Sequence, residues 1–150
     1  MKKIKIGIFG PNGRMGRDII QRVKLFNLME ISTLCEKKKH KIVGTEIGSI
    51  PVEDDIDNLI NNSDVIIDFT SPEATIDLLK NMKKLNSKSA LVTGTTGYTR
   101  IEEKKFQSLI KGIAVLRSFN MSIGINLLKH LTKLTSKTIG SESDIEIVET

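Results

Sequence analysis

The chain has 150 residues, of which 39% are hydrophobic, 27% charged and 4% aromatic, with no tryptophan and a formal net charge of +5. That length suits one domain, or one domain with part of another, and the composition excludes disordered, collagen-like and membrane-embedded chains. One cysteine and two histidines allow no internal disulfide and make a poor basis for a metal site, so no metal is expected and the core has to be built mainly from Ile, Leu and Val.

The opening Met1-Lys2-Lys3-Ile4-Lys5-Ile6 begins like the basic end of a signal peptide, but Lys5 interrupts the apolar run, which then meets Gly10 and Pro11. No cleavage pattern follows, and no run nears the ~18 apolar residues of a membrane span, so a cytoplasmic location without a membrane partner is expected. Ile4 to Phe9 reads as a strand and Gly13 to Phe26 as a helix. Between them lies Gly10-Pro11-Asn12-Gly13-Arg14-Met15-Gly16, a G-x-x-G-x-x-G loop one position off the commoner dinucleotide spacing. Glycines let the backbone turn sharply and approach a phosphate, and the following helix offers unpaired N–H groups and a partial positive charge to an anion. Arg14 stands where a guanidinium adds to that field. A merely structural turn is the alternative, and the position between a clean strand and a clean helix argues against it.

Glu30 to Cys35 reads as a second strand, with Cys35 expected as a buried thiol rather than a nucleophile. Glu36 follows, twenty positions beyond Gly16, where dinucleotide folds place the acidic residue that holds the adenosine ribose. A carboxylate accepts ribose hydroxyls but repels a 2′-phosphate, and Lys37 and Lys38 would offset that repulsion. The expectation is NADH with tolerance for NADPH, against the plainer reading of a solvent-facing Glu. The basic run Lys37-Lys38-Lys39-His40-Lys41 is read as a solvated loop rather than a nucleic-acid surface, because no aromatic residue is interleaved to stack on bases.

Residues 36 to 60 read as irregular: basic first, then Gly44, Gly48 and Pro51, then a short acidic helix-like piece. Val65-Ile66-Ile67 predicts a buried strand, three β-branched residues suiting a sheet covered on both faces. Ser71-Pro72-Glu73 opens a helix running to about Leu85, with Ser71 as its cap and Pro72 in its first turn. Ala90 to Thr93 is a strand, Arg100 to Ile110 a helix, and Ile113 to Leu116 a strand. Ile123 to Ile139 carries apolar residues at helical spacing, and Ile145 and Ile147, alternating with Glu146 and Glu149, begin another strand. This alternation predicts an α/β chain with a Rossmann-like, doubly wound, mostly parallel sheet.

Three later segments are more specific. Asp68-Phe69-Thr70-Ser71-Pro72-Glu73, Val92-Thr93-Gly94-Thr95-Thr96-Gly97 and Ser118-Phe119-Asn120-Met121-Ser122-Ile123-Gly124-Ile125-Asn126 each follow a strand. Together with Gly13-Arg14-Met15-Gly16, and in the same order and spacing, they resemble the N-terminal portion of dihydrodipicolinate reductase (4-hydroxy-tetrahydrodipicolinate reductase) over essentially the whole sequence. The resemblance implies an oxidoreductase of lysine and diaminopimelate biosynthesis that uses NADH or NADPH to reduce a small dicarboxylate, with no nucleic-acid partner and a homotetramer when full length. It also implies that Gly94, Thr95 and Thr96 hold the nicotinamide amide, with Thr96 facing the substrate. The backbone of Phe69 and Thr70 passes beside the cofactor. Ser118 and Phe119 lead into Asn120 and Met121, which bound the nicotinamide ring. Many relatives carry an aromatic residue where this chain has Met121, and a thioether still packs on a ring. Tyr98 is read as lining without chemistry, and His130 as a surface or interface residue.

By the same resemblance, residues 1–120 form the dinucleotide-binding domain. Residues 121–150 form the first helix and strand of a truncated α+β substrate and oligomerisation domain, elements that would lack sheet partners and expose apolar surface. The family's His-His segment, with a lysine a few residues on, is expected just after Thr150, so no catalytic residue is expected within 1–150. The chain as written is then expected to bind NAD(P)H with little or no reductase activity. A non-catalytic cofactor-binding module or pseudo-enzyme is the alternative. The nucleotide domain of another small-acid dehydrogenase is a further one, against which the Asn120 to Asn126 segment stands.

Overall fold

The computed structural model describes residues 2–148. Its elements run β1 (Ile4–Phe9), α1 (Arg14–Val23), β2 (Met29–Cys35), β3 (Glu46–Ile47), β4 (Ile50–Glu53), α2 (Ile56–Asn61), β5 (Val65–Asp68), α3 (Pro72–Lys84), β6 (Ala90–Thr93), α4 (Arg100–Leu109), β7 (Val115–Arg117) and α5 (Ile123–Ile139). The strands form one sheet in the order β3-β4-β2-β1-β5-β6-β7, parallel except for the short β3–β4 pair. From β1 the chain winds first to one side, through β2, and later to the other, through β5. The loop after β1 therefore opens at the switch point where α/β sheets of this kind hold their ligands.

Register brings the site residues together. Phe9 lies opposite both Cys35 and Asp68, Asp68 opposite Thr93, and Thr93 opposite Arg117. The next residue of each strand, Gly10, Glu36, Phe69, Gly94 and Ser118, thus emerges in one row along the carboxyl edge of the sheet.

Strand alternation splits the core in two. Phe9, Cys35, Ile66 and Leu91 join Leu59, Ile60, Leu78, Leu79, Met82 and Phe106 from α2, α3 and α4. Ile6, Ile8, Leu34 and Val52 join Ile20 and Val23 of α1. Val65 and Ile67, expected to be covered on both faces of the sheet, belong to the second side and are only half-buried, while Ile66 is fully buried. The difference follows from helix supply: α1 is the one helix that contributes buried residues to that cluster.

Three other expectations change within residues 2–119. The strand read from Ile113 to Leu116 runs instead over Val115–Arg117, paired with Leu91 to Thr93 of β6. The first helix ends at Val23, not Phe26, because Leu25 and Phe26 N–H groups turn back to the carbonyls three residues earlier. The segment read as irregular contains β3 and β4. Pro51 lacks an N–H, but its neighbour Val52 exchanges both backbone groups with the β3 side, donating to Thr45 and accepting from Gly44 at 2.8 Å each, and its buried side chain anchors the strand.

The chain divides into two compact units, Met1–Phe119 and Asn120–Thr150. In the second, Ser122 caps α5 by accepting the Ile125 N–H, and no residue of the helix is buried. Its apolar residues, such as Leu127, Leu128 and Leu131, are about half exposed. A 3-10 turn, Gly140–Glu142, follows. The strand expected from Ile145 onward is not formed by residues 144–148, since no partner edge pairs with it among the described residues; Glu149 lies outside them. No described helix is long and apolar enough to cross a membrane.

Candidate functional site

The loop after β1 is fixed at both ends. Gly10 donates its N–H to the Cys35 carbonyl at 2.9 Å and adopts a φ of 85°, in the left-handed region open to glycine. Gly13 then caps α1 without a side-chain hydrogen bond, and no acidic residue occupies the first turn. The other four described α-helices are capped by Asp55, Ser71, Thr99 and Ser122, each accepting an N–H through its side-chain oxygen. In α1 the first helical bond runs from Arg17 N–H to the Gly13 carbonyl at 3.1 Å. The N–H groups of Arg14, Met15 and Gly16 are left pointing out of the helix end, which carries about half a positive charge. Such an end takes phosphate.

Glu36 forms the opposite wall. Its Oε1 accepts the N–H of Asn12 and its Oε2 the N–H of Lys37, both at 3.2 Å. Arg17 in turn donates to the Asn12 side-chain oxygen at 2.7 Å, so the loop and the acidic residue are braced together. The carboxylate is held in place with lone pairs to spare for hydroxyl donors. A cleft of about 350 Å³ lies here, with Phe9, Gly10, Asn12 and Gly13 on one side, Glu36, Lys37 and His40 on a second, and Phe69, Thr70, Ser71 and Ala74 on a third.

Seven of the expected cofactor residues line this cleft: Gly10, Asn12, Gly13, Glu36, Lys37, Phe69 and Thr70. Pro11 is buried, and Arg14 and Met15 sit exposed on the first turn of α1. Lys38, expected to share in offsetting Glu36, is exposed and does not line the cleft. Phe9, His40, Ser71 and Ala74 were not anticipated in this role. Ser71 had a signal, as a helix cap beside a strand end; His40 had none, being one residue of a basic run.

The neighbouring loops are tied by Asp68, whose side chain is fully buried. Its Oδ1 accepts the N–H of Thr70 at 3.1 Å and the hydroxyl of Thr70 at 2.6 Å. Its Oδ2 accepts the hydroxyls of Thr75, Thr93 and Thr95 at 2.6, 2.8 and 3.2 Å. Thr95 Oγ1 also accepts the Thr70 N–H at 3.1 Å. The Thr95 hydroxyl, expected near a carboxamide, is therefore turned inward and committed to a buried carboxylate that needs donors; its residue is 3% exposed. Thr96 is exposed. Gly94 passes under the Phe69 ring so closely that an added Cβ would lie 2.1 Å from Cε1.

Beyond this loop, Arg117 is enclosed by aromatic faces, its guanidinium carbon 4.3 Å from the Tyr98 and Phe106 ring centres and 4.6 Å from that of Phe119. Its two terminal nitrogens each donate to one Glu103 oxygen at 2.9 Å. Burial raises the Tyr98 phenol above its ordinary value. Phe119 thus stands beside a second, shallow cleft of about 520 Å³ with Tyr98, Arg100 and Lys104 rather than in the first. Ser118 continues the sheet edge, its N–H on the Thr93 carbonyl at 3.2 Å. Asn120 and Met121 belong to the second unit, where the Asn120 side chain accepts the Ser122 N–H at 2.8 Å. The Cys35 thiol is buried, and its pKa is pushed up to about 12, first by burial and then by Asp55, Asp54, Glu36 and Glu53. No cluster of three or more His, Cys, Asp or Glu side chains able to hold a metal occurs among the described residues.

Residues 4–121 match the family model described as dihydrodipicolinate reductase, N-terminus. The 4-hydroxy-tetrahydrodipicolinate reductase of Buchnera aphidicola subsp. Acyrthosiphon pisum (strain Tuc7) is 38% identical over 156 residues, covering 99% of this chain and 57% of that protein. The protein of the same name from Pelagibacter ubique is 39% identical over 142 residues, covering 95% and 53%. Among solved structures, the dipicolinate-bound dihydrodipicolinate reductase from Paenisporosarcina sp. TG-14 shares the fold with a TM-score of 0.69 at 22% identity, over 91% of this chain and 54% of that one. The chain spans about half the length of the curated relatives it matches. On the match across residues 4–121, the chain belongs to the dihydrodipicolinate reductase family, in that family's N-terminal part.

Proposed function

We propose that this chain is the dinucleotide-binding part of an NAD(P)H-dependent reductase that converts 4-hydroxy-tetrahydrodipicolinate to tetrahydrodipicolinate in lysine and diaminopimelate biosynthesis. One observation carries the reading: α1, alone among the five described α-helices, has no side-chain cap, and its bare N–H groups open beside a cleft whose far wall is Glu36. Residues of this kind fit a dinucleotide. The Gly10–Gly13 turn and the helix end suit a pyrophosphate, the braced Glu36 carboxylate suits the ribose hydroxyls of NADH, and Lys37 beside it gives tolerance for NADPH.

The bound cofactor supplies the hydride. The chain's own part is to hold the nicotinamide end, and the Asp68 network supports this by fixing the Phe69–Thr70 and Gly94–Thr96 loops against each other. The Gly94–Thr96 backbone is then available to a carboxamide, and the Thr96 hydroxyl to substrate. A reductase of this class also needs a proton donor and cations at the substrate carboxylates. Residues 68–71 and 93–96 carry hydroxyls and no cation, so the 150-residue polypeptide alone is expected to bind reduced dinucleotide with little turnover.

Calorimetric titration of NADH into the chain is the test. Saturable binding with a raised melting temperature is expected, weakened about tenfold or more by Glu36→Ala, the size of a lost hydrogen bond to a charged group. Saturating NADH that leaves both heat and melting temperature unchanged would sink the reading.

A further inference from the structure

The basic run after Glu36 is not a uniformly solvated loop. His40 donates its N–H to the Lys37 carbonyl at 3.1 Å, closing a tight turn, and Lys39 takes a φ of 63° within it. A lysine gains nothing locally from that left-handed conformation, and strain of this kind is retained where the surrounding structure requires it. Its effect is to sort the run. Lys38 and Lys39 are sent to solvent, while His40 returns half-buried to the cleft wall beside Glu36 and Lys37. The imidazole Nδ1 faces the Ile42 N–H at 3.5 Å, which turns that nitrogen toward its own loop and leaves Nε2 as the donor.

We infer that His40 is a specificity-determining residue of the adenosine end, donating a hydrogen bond with Lys37 to the 2′-phosphate of NADPH and so countering the repulsion from Glu36. This rests on the dinucleotide reading of the cleft. It takes the place of Lys38 beside Lys37 as a source of NADPH tolerance, since Lys38 does not line the cleft. Among the lining residues the only other ionisable side chains are Glu36 and Lys37; β1, the glycine loop and the start of α3 contribute none. Discrimination between a ribose hydroxyl and a ribose phosphate is then set by one acceptor and two donors. A phosphate ester is an acceptor with no repulsion toward an N–H, and the same N–H has no comparable partner in NADH.

The test compares dissociation constants for NADPH and NADH, by calorimetry at one ionic strength, for the wild-type chain, His40→Ala and His40→Gln. His40→Ala is expected to weaken NADPH about tenfold, the lower end for a hydrogen bond to a charged group, while leaving NADH within a factor of about two. His40→Gln, whose amide still donates, is expected to retain part of the NADPH affinity. Unchanged NADH binding doubles as the check that each variant is folded. Equal weakening of both dinucleotides would make His40 an adenine or loop contact and overturn the inference, as would NADPH affinity that ignores both substitutions. Either result leaves the dinucleotide reading standing, whereas a wild-type chain that binds neither cofactor sinks both.

Discussion

Thr93 Oγ1 lies 2.8 Å from Asp68 Oδ2 on the adjoining strand, joining the last residues of β5 and β6 where their loops leave the sheet. Hydroxyls rather than a cation surround this buried carboxylate, and each comes from a different segment: Thr70 from the loop, Thr75 from α3, Thr93 from β6 and Thr95 beyond it. Asp68 acts as a hub that sets the spacing of two site loops.

Asp68→Asn tests that role. An amide presents one oxygen and two N–H donors, so hydroxyls that now donate to Oδ2 would face a donor. The expected loss is about 3 kcal/mol in urea unfolding, against about 2 kcal/mol for Thr93→Val, which keeps the shape and removes two hydrogen bonds, one to Asp68 and one from the Thr95 N–H. A loss for Asp68→Asn no larger than that of Thr93→Val would show that the hydroxyls find other partners and that the hub is not one.

Gly94→Ala puts a methyl group where the Phe69 ring edge lies, 2.1 Å from Cε1. Overpacking of this kind costs about 1–3 kcal/mol. Because the clash has one source, Gly94→Ala combined with Phe69→Ala should cost less than the sum of the two single changes, by about 1 kcal/mol or more. Strict additivity in that cycle would mean that the ring swings away freely and that Gly94 is required for some other reason.

Much of this was legible from residue patterns, for reasons that differ by element. Ser71-Pro72 marks a helix start because a cap is local chemistry, and the observed α3 begins where those residues dictate. Gly10, Glu36, Phe69, Gly94 and Ser118 are recognisable because parallel register delivers the residue after each strand to the same edge. β4 escaped because Pro51 argues against a strand and only Val52 of its four residues is buried. The inward turn of Thr95 could not be read at all, since it depends on a carboxylate 27 positions earlier. His40 was hidden by its neighbours: four lysines around it imply solvent, and only the left-handed turn at Lys39 separates it from them.

Cys35 should be inert in the folded chain. The thiolate is the reactive species, and with a pKa pushed up to about 12 and no solvent exposure, almost none is present or reachable near pH 8. A thiol-alkylating reagent at pH 8 is expected to label the protein only after denaturant is added. Stoichiometric labelling of the native chain within minutes would instead place the thiol in an opening segment of β2.

The Glu103–Arg117 pair makes a prediction with a definite sign. Hydrogen bonds from Arg117, then from Gln107, hold the Glu103 carboxyl below its ordinary value, so the folded state favours its ionised form. A depressed carboxylate contributes stability that is complete above its unfolded pKa and is lost as the pH falls through the folded one. The Glu103 side chain is 39% exposed, so screening limits the pair to about 1 kcal/mol despite its two-pronged geometry. Glu103→Gln is therefore expected to melt a few degrees below wild type at pH 7, with the gap shrinking as the pH drops below the carboxylate range, where both proteins carry an uncharged group. Arg117→Lys should not behave as a conservative change at pH 7, because an ammonium lacks the planar fork that holds both carboxylate oxygens while its carbon sits 4.3 Å from the ring centres of Tyr98 and Phe106. Parallel melting curves for wild type and Glu103→Gln across the acid range would show that the carboxylate gains nothing from its partner, leaving the aromatic faces as the whole of what holds Arg117.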